Sequence, residues 1–252
     1  MACITTERDG GVLIATLSRG KANALDAETL EALHAVVQRV TEDDAIRAVV
    51  LASGSSRFFS TGFDVGEVFR YDGNQIRSFF STFIDVYEGL QAMPKGVVAA
   101  VSGHAYAGGA VLALACDWQI MTDEPCGFAL NEVDVGVILP PGITRLVVNR
   151  LGTGYARQLL LSGEPVSPTD ALRIGLVNEL AAPDEVLPRA VSRAQCFASK
   201  PPAAFAAIKA KLRNLTGDDG SSDRDRLDPF IAQWESAEGR TARQAILEAM
   251  QR

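Results

Sequence analysis

The chain is poor in the residues that bind metals or close disulfides. Its 252 residues include two histidines, His34 and His104, and no metal-ligand spacing around them, so a zinc site is not expected. The four cysteines (Cys3, Cys116, Cys126, Cys196) are scattered with no CxxC pair. That argues against a disulfide framework and for a reducing, cytoplasmic setting. Positive charge is also short: 24 Lys and Arg against 31 Asp and Glu leave a net charge of −7. A nucleic-acid or anionic-membrane surface is therefore not expected. The longest nearly apolar run, Ala105 to Cys116, is too short to span a bilayer and carries a glycine pair. MACITTERDGG has no basic region leading into an apolar run, so no secretory leader is expected. GxSxG is absent, which removes the serine-hydrolase elbow. "GTGYAR" follows a helical segment and lacks a third glycine, so it is no dinucleotide fingerprint.

What is present is ordinary globular composition, 47% hydrophobic and 22% charged, in a chain long enough to bury a sizeable core. Val12 to Leu17 reads as a buried strand. Asp26 can cap a helix with Leu30, Leu33, Val36, Val37 and Val40 on one face. "IRAVVLASG", "GVVAAVSG" and "WQIMT" read as further strands. A helix from Gln75 to Met93 stops before Pro94, and Gly108 and Gly109 open a small-residue helix. This alternation implies an α/β fold with parallel strands. From Gly142 on, helical periodicity dominates: 143–150, 154–161, 169–174, 185–198, 203–215 and two more helices after Asp223. Thr216 to Asp225, "TGDDGSSDRD", reads as a loop or linker. The last helices carry Phe230, Ile231, Trp234, Ile246, Leu247 and Met250, and this surface must pack on the body or on another subunit.

Three segments could carry chemistry. "FFSTGFDV" follows a strand and turn. "SGHAYAGGAVLALACD" sets Gly108 and Gly109 at a helix start, where free N–H groups favour developing negative charge. Tight helix packing by itself is the better explanation of the same glycines, and Gly62 fits an ordinary turn equally well. His104 beside small residues reads as packing, and Asp64 as a cap. In "GFALNEVDVGVILPP", Glu132 sits in an apolar setting. It is either the solvent-facing acid of a strand, a satisfied buried glutamate, or a general base whose pKa is raised by burial among Phe128, Val133 and their neighbours.

Taken together, "RGKANALDAETL", "FFSTGFDV", "GHAYAGGAVLALACDWQI" and "ALRIGLVNEL" resemble the enoyl-CoA hydratase/isomerase (crotonase) superfamily, in order and over nearly the whole chain. The resemblance implies a crotonase fold: a spiral core of ββα units over residues 1–200 and a helical oligomerisation region at 201–252, giving a homotrimer or hexamer. It implies acyl-CoA thioester substrates of fatty acid metabolism, with no cofactor beyond the coenzyme A of the substrate and no nucleic-acid or membrane partner. Carried onto this chain, the N–H groups of Phe63 and Gly108 grip the thioester oxygen. Asn23, Ala24, Leu25, Ser60, Thr61, Gly62, Asp64, Val65 and Val111 line the substrate path.

Family hydratases use two glutamates. The first, three residues after the oxyanion glycine, is Val111 here; the second is Glu132. Keeping only the second is the pattern of mitochondrial-type Δ3,Δ2-enoyl-CoA isomerases, and "ALNEVDVGVI" resembles their L-N-E-x-x-x-G stretch. Family dienoyl isomerases and dehalogenases place an aspartate about a turn further on; this chain has Leu139, Pro140 and Pro141 there, and Asp134 reads as solvent-facing or ion-paired. The expected reaction is a shift of a 3-enoyl-CoA double bond to the 2-position, Glu132 serving as both base and acid. Two alternatives stay open: a hydratase-like enzyme using Glu132 with another group, and a catalytically silent acyl-CoA-binding paralogue. Thr61, bulky Phe63 and the loop "VILPPGI" depart from the family pattern and bear on acyl length and shape.

Overall fold

The computed structural model describes residues 2–214 and 222–250. A hairpin, β1 (Ile4–Asp9) and β2 (Val12–Leu17), leads into α1 (Ala27–Glu42). A motif then repeats. β3 (Ala48–Ser53) is followed by the short β4 (Phe58–Ser60) and by helices α2 (Val65–Val68) and α3 (Gly73–Ala92). β5 (Gly96–Val101) is followed by β6 (His104–Tyr106) and α4 (Gly108–Leu114). β7 (Trp118–Thr122) is followed by β8 (Phe128–Ala129), a 3₁₀ turn at Glu132–Val135, and α5 (Pro141–Ser162). Long strands enter one sheet, β1-β2-β3-β5-β7-β9, and short strands another, β4-β6-β8, where β9 is Glu179–Ala181. Every pairing is parallel except β1 with β2. This is a spiral of ββα units.

Alternation along the central strands divides the core. Ala48, Val50, Ala52, Val98, Ala100 and Ile120 face α7 (Val186–Ala198), which offers the small Ala190 and Ala194 for close approach. The opposite residues, Val49, Leu51, Val97, Ala99 and Val101, face the larger core that contains α1, α3 and α4. Both faces are covered, so these strands are continuous apolar runs, as parallel strands must be. Asp26 caps α1 by accepting from Thr29 N–H at 2.8 Å. Asp72 and Gln75 form a capping box, so α3 starts at Gly73 rather than at Gln75.

Beyond β8 the chain is helical. α5 turns a corner at Gly152, whose φ is +69°, which separates the two helices expected from the periodicity. α6 (Pro168–Arg173), α7 and α8 (Pro202–Asn214) follow. Residues 215–221, most of the expected linker, lie outside the described residues. Its end is no linker: Asp223–Arg226 forms a 3₁₀ turn clasped to α3. Glu88 accepts from Ser222 Oγ and Asp223 N–H at 2.8 Å each, Tyr87 donates its hydroxyl to Asp223, and Arg224 pairs with Asp85 at 2.8 Å. The apolar surface of α9 (Asp228–Glu235) packs on its own chain: the Phe230 ring lies 3.9 Å from that of Phe80, and Trp234 Nε1–H donates to Tyr71 O at 3.1 Å. α10 (Ala237–Ala249) completes the layer. Among the described residues no helix is long and apolar enough to cross a membrane.

Candidate active site

Backbone pairing builds the first arm. Leu25 N–H donates to Gly62 O at 2.7 Å and Asp64 N–H to Leu25 O at 2.8 Å. This parallel bridge uses the groups on either side of Phe63, so the Phe63 N–H points the other way and meets no acceptor among the described residues. Gly62 has φ +84°, and a Cβ there would stand 2.9 Å from Tyr106 O and 3.1 Å from Gly108 N. Glycine thus lets the first arm rest on the second. The Phe63 ring turns into α3, edge-on to Phe79, Phe80 and Phe83 at 5.0, 5.2 and 4.9 Å between centroids.

The second arm is the β6–α4 turn. Ala107 N–H donates to Ala129 O at 2.9 Å, and Ala107 itself holds φ +45°, a strained value for a residue with a Cβ. Gly108 is the first helical residue, and its N–H is unpaired among the described residues. Tight packing is also real: a Cβ on Gly109 would lie 2.6 Å from Ser60 O, and one on Gly108 2.8 Å from the Phe63 ring. The packing account suffices for Gly109. It leaves unexplained why neither the Phe63 nor the Gly108 N–H, on the two arms that meet at Gly62, has an acceptor among the described residues.

β8 pairs with β6 up to Tyr106 opposite Ala129, so the chain past Ala129 runs beside the start of α4. Glu132 opens the 3₁₀ turn there, not a strand, and is 7% exposed. Its Oε2 has no hydrogen-bond partner among the described residues. Desolvation by burial pushes its pKa up to about 7, its own backbone N–H offsetting a little of the rise. Val133 is 48% exposed and does not wall the carboxyl, because the 3₁₀ turn rotates it outward. Phe128, Ala129 and Leu130 just before it are buried. Asp134 is exposed. Val111 is fully buried one turn into α4.

The other expected substrate-path residues divide. Asn23 is buried with φ +48°; its Oδ1 accepts from Arg19 N–H at 2.9 Å, and its Nδ2 donates to Ser53 Oγ at 2.7 Å and to Phe59 O at 3.3 Å. Ser60 Oγ donates to Asn23 O at 2.7 Å. These two side chains hold the arm together and have no reach left for a ligand. Leu25 is buried beside them, while Ala24, Thr61 and Val65 are half-buried. Asp64 caps α2 and pairs with Arg19 at 2.9 Å. Arg19 also pairs with Asp26 at 2.6 Å, so one guanidinium ties the loop before α1 to the turn after Phe63. His104 Nδ1 accepts from Gly127 N–H at 2.9 Å and bonds the Tyr106 hydroxyl at 2.7 Å, which makes it a packing residue.

Sequence reasoning missed the residues that hold the Glu132 turn. Gln233 Nε2 donates to Gly136 O at 3.4 Å, and Ala242 lies against Gly136. Asp223 accepts from Gly142 N–H at 2.8 Å and so caps the first turn of α5, just past the Glu132 loop. Their signal in the sequence was weak, since they lie some 80 to 110 residues away along the chain.

The profile of the enoyl-CoA hydratase/isomerase family matches residues 7–244. The short-chain-enoyl-CoA hydratase of Clostridium acetobutylicum is 32% identical over 83% of this chain and 80% of its own length. The carnitinyl-CoA dehydratase of Salmonella paratyphi A is 32% identical over 82% of this chain and 78% of its own. Among solved structures, the human mitochondrial Δ3,Δ2-enoyl-CoA isomerase superposes with a TM-score of 0.91 at 25% identity, covering 99% of this chain and 98% of that one. The chain has the crotonase fold and belongs to the enoyl-CoA hydratase/isomerase family.

Proposed function

We propose that the protein is an enoyl-CoA isomerase that moves a 3-enoyl-CoA double bond to the 2-position. The observation that carries this reading is the solitary Glu132 carboxyl, buried, with Oε2 unpartnered among the described residues and its pKa raised to about 7, and with Val111 where family hydratases have their other acid. Glu132 takes a proton from C2, and the electron pair moves onto the thioester oxygen as an enolate. The N–H groups of Phe63 and Gly108 stabilise that oxygen, and a preorganised donor of this kind contributes roughly 3–4 kcal/mol. The same carboxylic acid returns its proton at C4, so the double bond shifts and the base is regenerated. A pKa near neutrality suits a group that must act in both senses. Apolar Val111 leaves no second carboxylate to orient a water over C3, which disfavours hydration.

The relatives named as a hydratase and a dehydratase favour the second reading, addition of water to a 2-enoyl-CoA. One experiment separates these and the catalytically silent case. Solvent-deuterium uptake is followed by NMR with 3-enoyl and 2-enoyl thioesters. The isomerase is expected to label C2 or C4 of the 3-enoyl compound and to convert it. Efficient hydration of the 2-enoyl compound with no action on the 3-enoyl one overturns the proposal, and binding without any exchange marks a silent paralogue.

A further inference from the structure

Two helix caps flank the bridge between Leu25 and Phe63, and each spends only one carboxylate oxygen on its helix. Asp26 Oδ1 accepts from Thr29 N–H at 2.8 Å to cap α1, and Asp64 Oδ1 accepts from Glu67 N–H at 3.3 Å to cap α2. The two remaining oxygens meet one guanidinium. Arg19 Nη2 pairs with Asp26 Oδ2 at 2.6 Å, and its Nη1 with Asp64 Oδ2 at 2.9 Å. Nη1 also donates to Ala24 O at 3.2 Å. Arg19 thus holds the residues on both sides of Leu25 and the residue after Phe63. Its own backbone is fixed: Arg19 N–H donates to Asn23 Oδ1 at 2.9 Å, and Asn23 N–H donates to Arg19 O at 3.0 Å. Between these anchors lie the two bonds of the bridge, Leu25 N–H to Gly62 O and Asp64 N–H to Leu25 O, which set the direction of the Phe63 N–H.

The side chains of Arg19 and Asp64 are 29% and 28% exposed, so their ion pair adds little to stability. Arg19 is also poorly suited to a substrate phosphate. Two carboxylates outweigh its single charge, and both terminal nitrogens are engaged. What a planar fork spanning two acids does supply is geometry, which a point charge does not.

We infer that Arg19 is a positioning residue for the Phe63 N–H, holding that donor at the thioester oxygen through Asp26, Asp64 and Ala24 O. The inference rests on the reading of Phe63 and Gly108 as oxyanion donors.

Two measurements test it. Arg19→Gln is expected to lower kcat by about 10- to 100-fold, the range for a misplaced catalytic group. Acyl-CoA affinity by calorimetry and the urea midpoint are expected to stay nearly unchanged. Arg19→Lys keeps the charge without the fork and is expected to recover little of the rate. The second measurement is the infrared C=O stretch of bound butanoyl-CoA, isotope-labelled at the thioester carbonyl, which has no double bond to move or hydrate. The wild type is expected to lower that band below its position in free thioester, and Arg19→Gln to lower it less. If Arg19→Gln does not fold, Asp64→Asn takes its place. Its single side-chain oxygen can cap α2 or accept from Arg19 but cannot do both fully, and the same losses of rate and band shift are expected. A band shifted equally in wild type and variant, an intact kcat, or full rescue by lysine overturns the inference and leaves the donors standing. Weakened binding at unchanged kcat makes Arg19 a substrate contact and overturns it too. A wild type that binds the thioester without shifting its band, or does not bind it, removes the donor reading and the inference together.

Discussion

Glu132 and Asp223 are both buried carboxylates near the start of α5, and their surroundings are opposite. Asp223 accepts from Gly142 N–H and from the Tyr87 hydroxyl, and its own N–H is held by Glu88. Glu132 Oε2 has no partner among the described residues. A buried acid whose bonds are satisfied holds the fold together, whereas one left bare costs stability and is kept for something else. The difference separates clasp from candidate base more sharply than burial alone, since both residues are almost inaccessible.

The comparison breaks most visibly on Glu132 itself. Glu132→Gln keeps the shape and cannot accept a proton, so isomerase turnover is expected to fall by about 10²–10⁴-fold, with acyl-CoA affinity nearly unchanged by calorimetry. A fully active Glu132→Gln enzyme would place the chemistry elsewhere. Next comes the proposed oxyanion arm. Gly108→Pro deletes one of the two free N–H groups, and turnover of the folded variant is expected to drop by at least about 100-fold. Near-normal turnover would make Gly108 a packing glycine like Gly109.

Asp223→Ala is expected to act in the opposite sense to Glu132→Gln. It leaves Gly142 N–H and the Tyr87 hydroxyl buried without their acceptor, at a cost of about 2–4 kcal/mol in urea unfolding. The acyl-CoA isomerase rate per folded molecule is expected to change far less than in Glu132→Gln. If Asp223→Ala silences turnover while leaving stability intact, the clasp is the catalytic group and the contrast is reversed.

The pH dependence sharpens the same contrast. Folded Glu132 titrates near 7 against an ordinary 4.5, so between these values the folded chain holds a proton that the unfolded chain has released. Stability is therefore greatest toward pH 4.5 on this account and is lost as pH rises through 7, by up to about 3 kcal/mol. Glu132→Gln is expected to flatten that part of the profile in denaturant melts at pH 5 and pH 8. Over the same range kcat/KM for the 3-enoyl substrate rises with pH and levels above about 7, because the base must be ionised. A flat rate profile from pH 5 to 8 would count against Glu132 as the base. The smallest effect is Val111→Glu, expected to add slight hydration of 2-enoyl-CoA, read by loss of enoyl absorbance, and to destabilise a fully buried site.

Much of this was legible in the residues. The apolar runs at 12–17, 48–53 and 96–101 form strands because both faces are covered. The glycines at 62, 108 and 109 stand where backbone approaches backbone or a side chain closely. The β4-β6-β8 sheet was not legible, because strands of two or three residues carry no readable period. Val133 was misplaced because being next in sequence does not put a side chain beside its neighbour's, and in the 3₁₀ turn Val133 points outward.

By itself the sequence determined the helices, the long strands and the order of the family-like segments. Those are local properties of pattern and residue type. Only the tertiary structure decided that Glu132 Oε2 is bare and Asp223 satisfied, and that Asn23 and Ser60 are spent on the loop. Each of these depends on which groups distant in the chain come within hydrogen-bond reach, and side-chain type cannot encode that before the chain is folded.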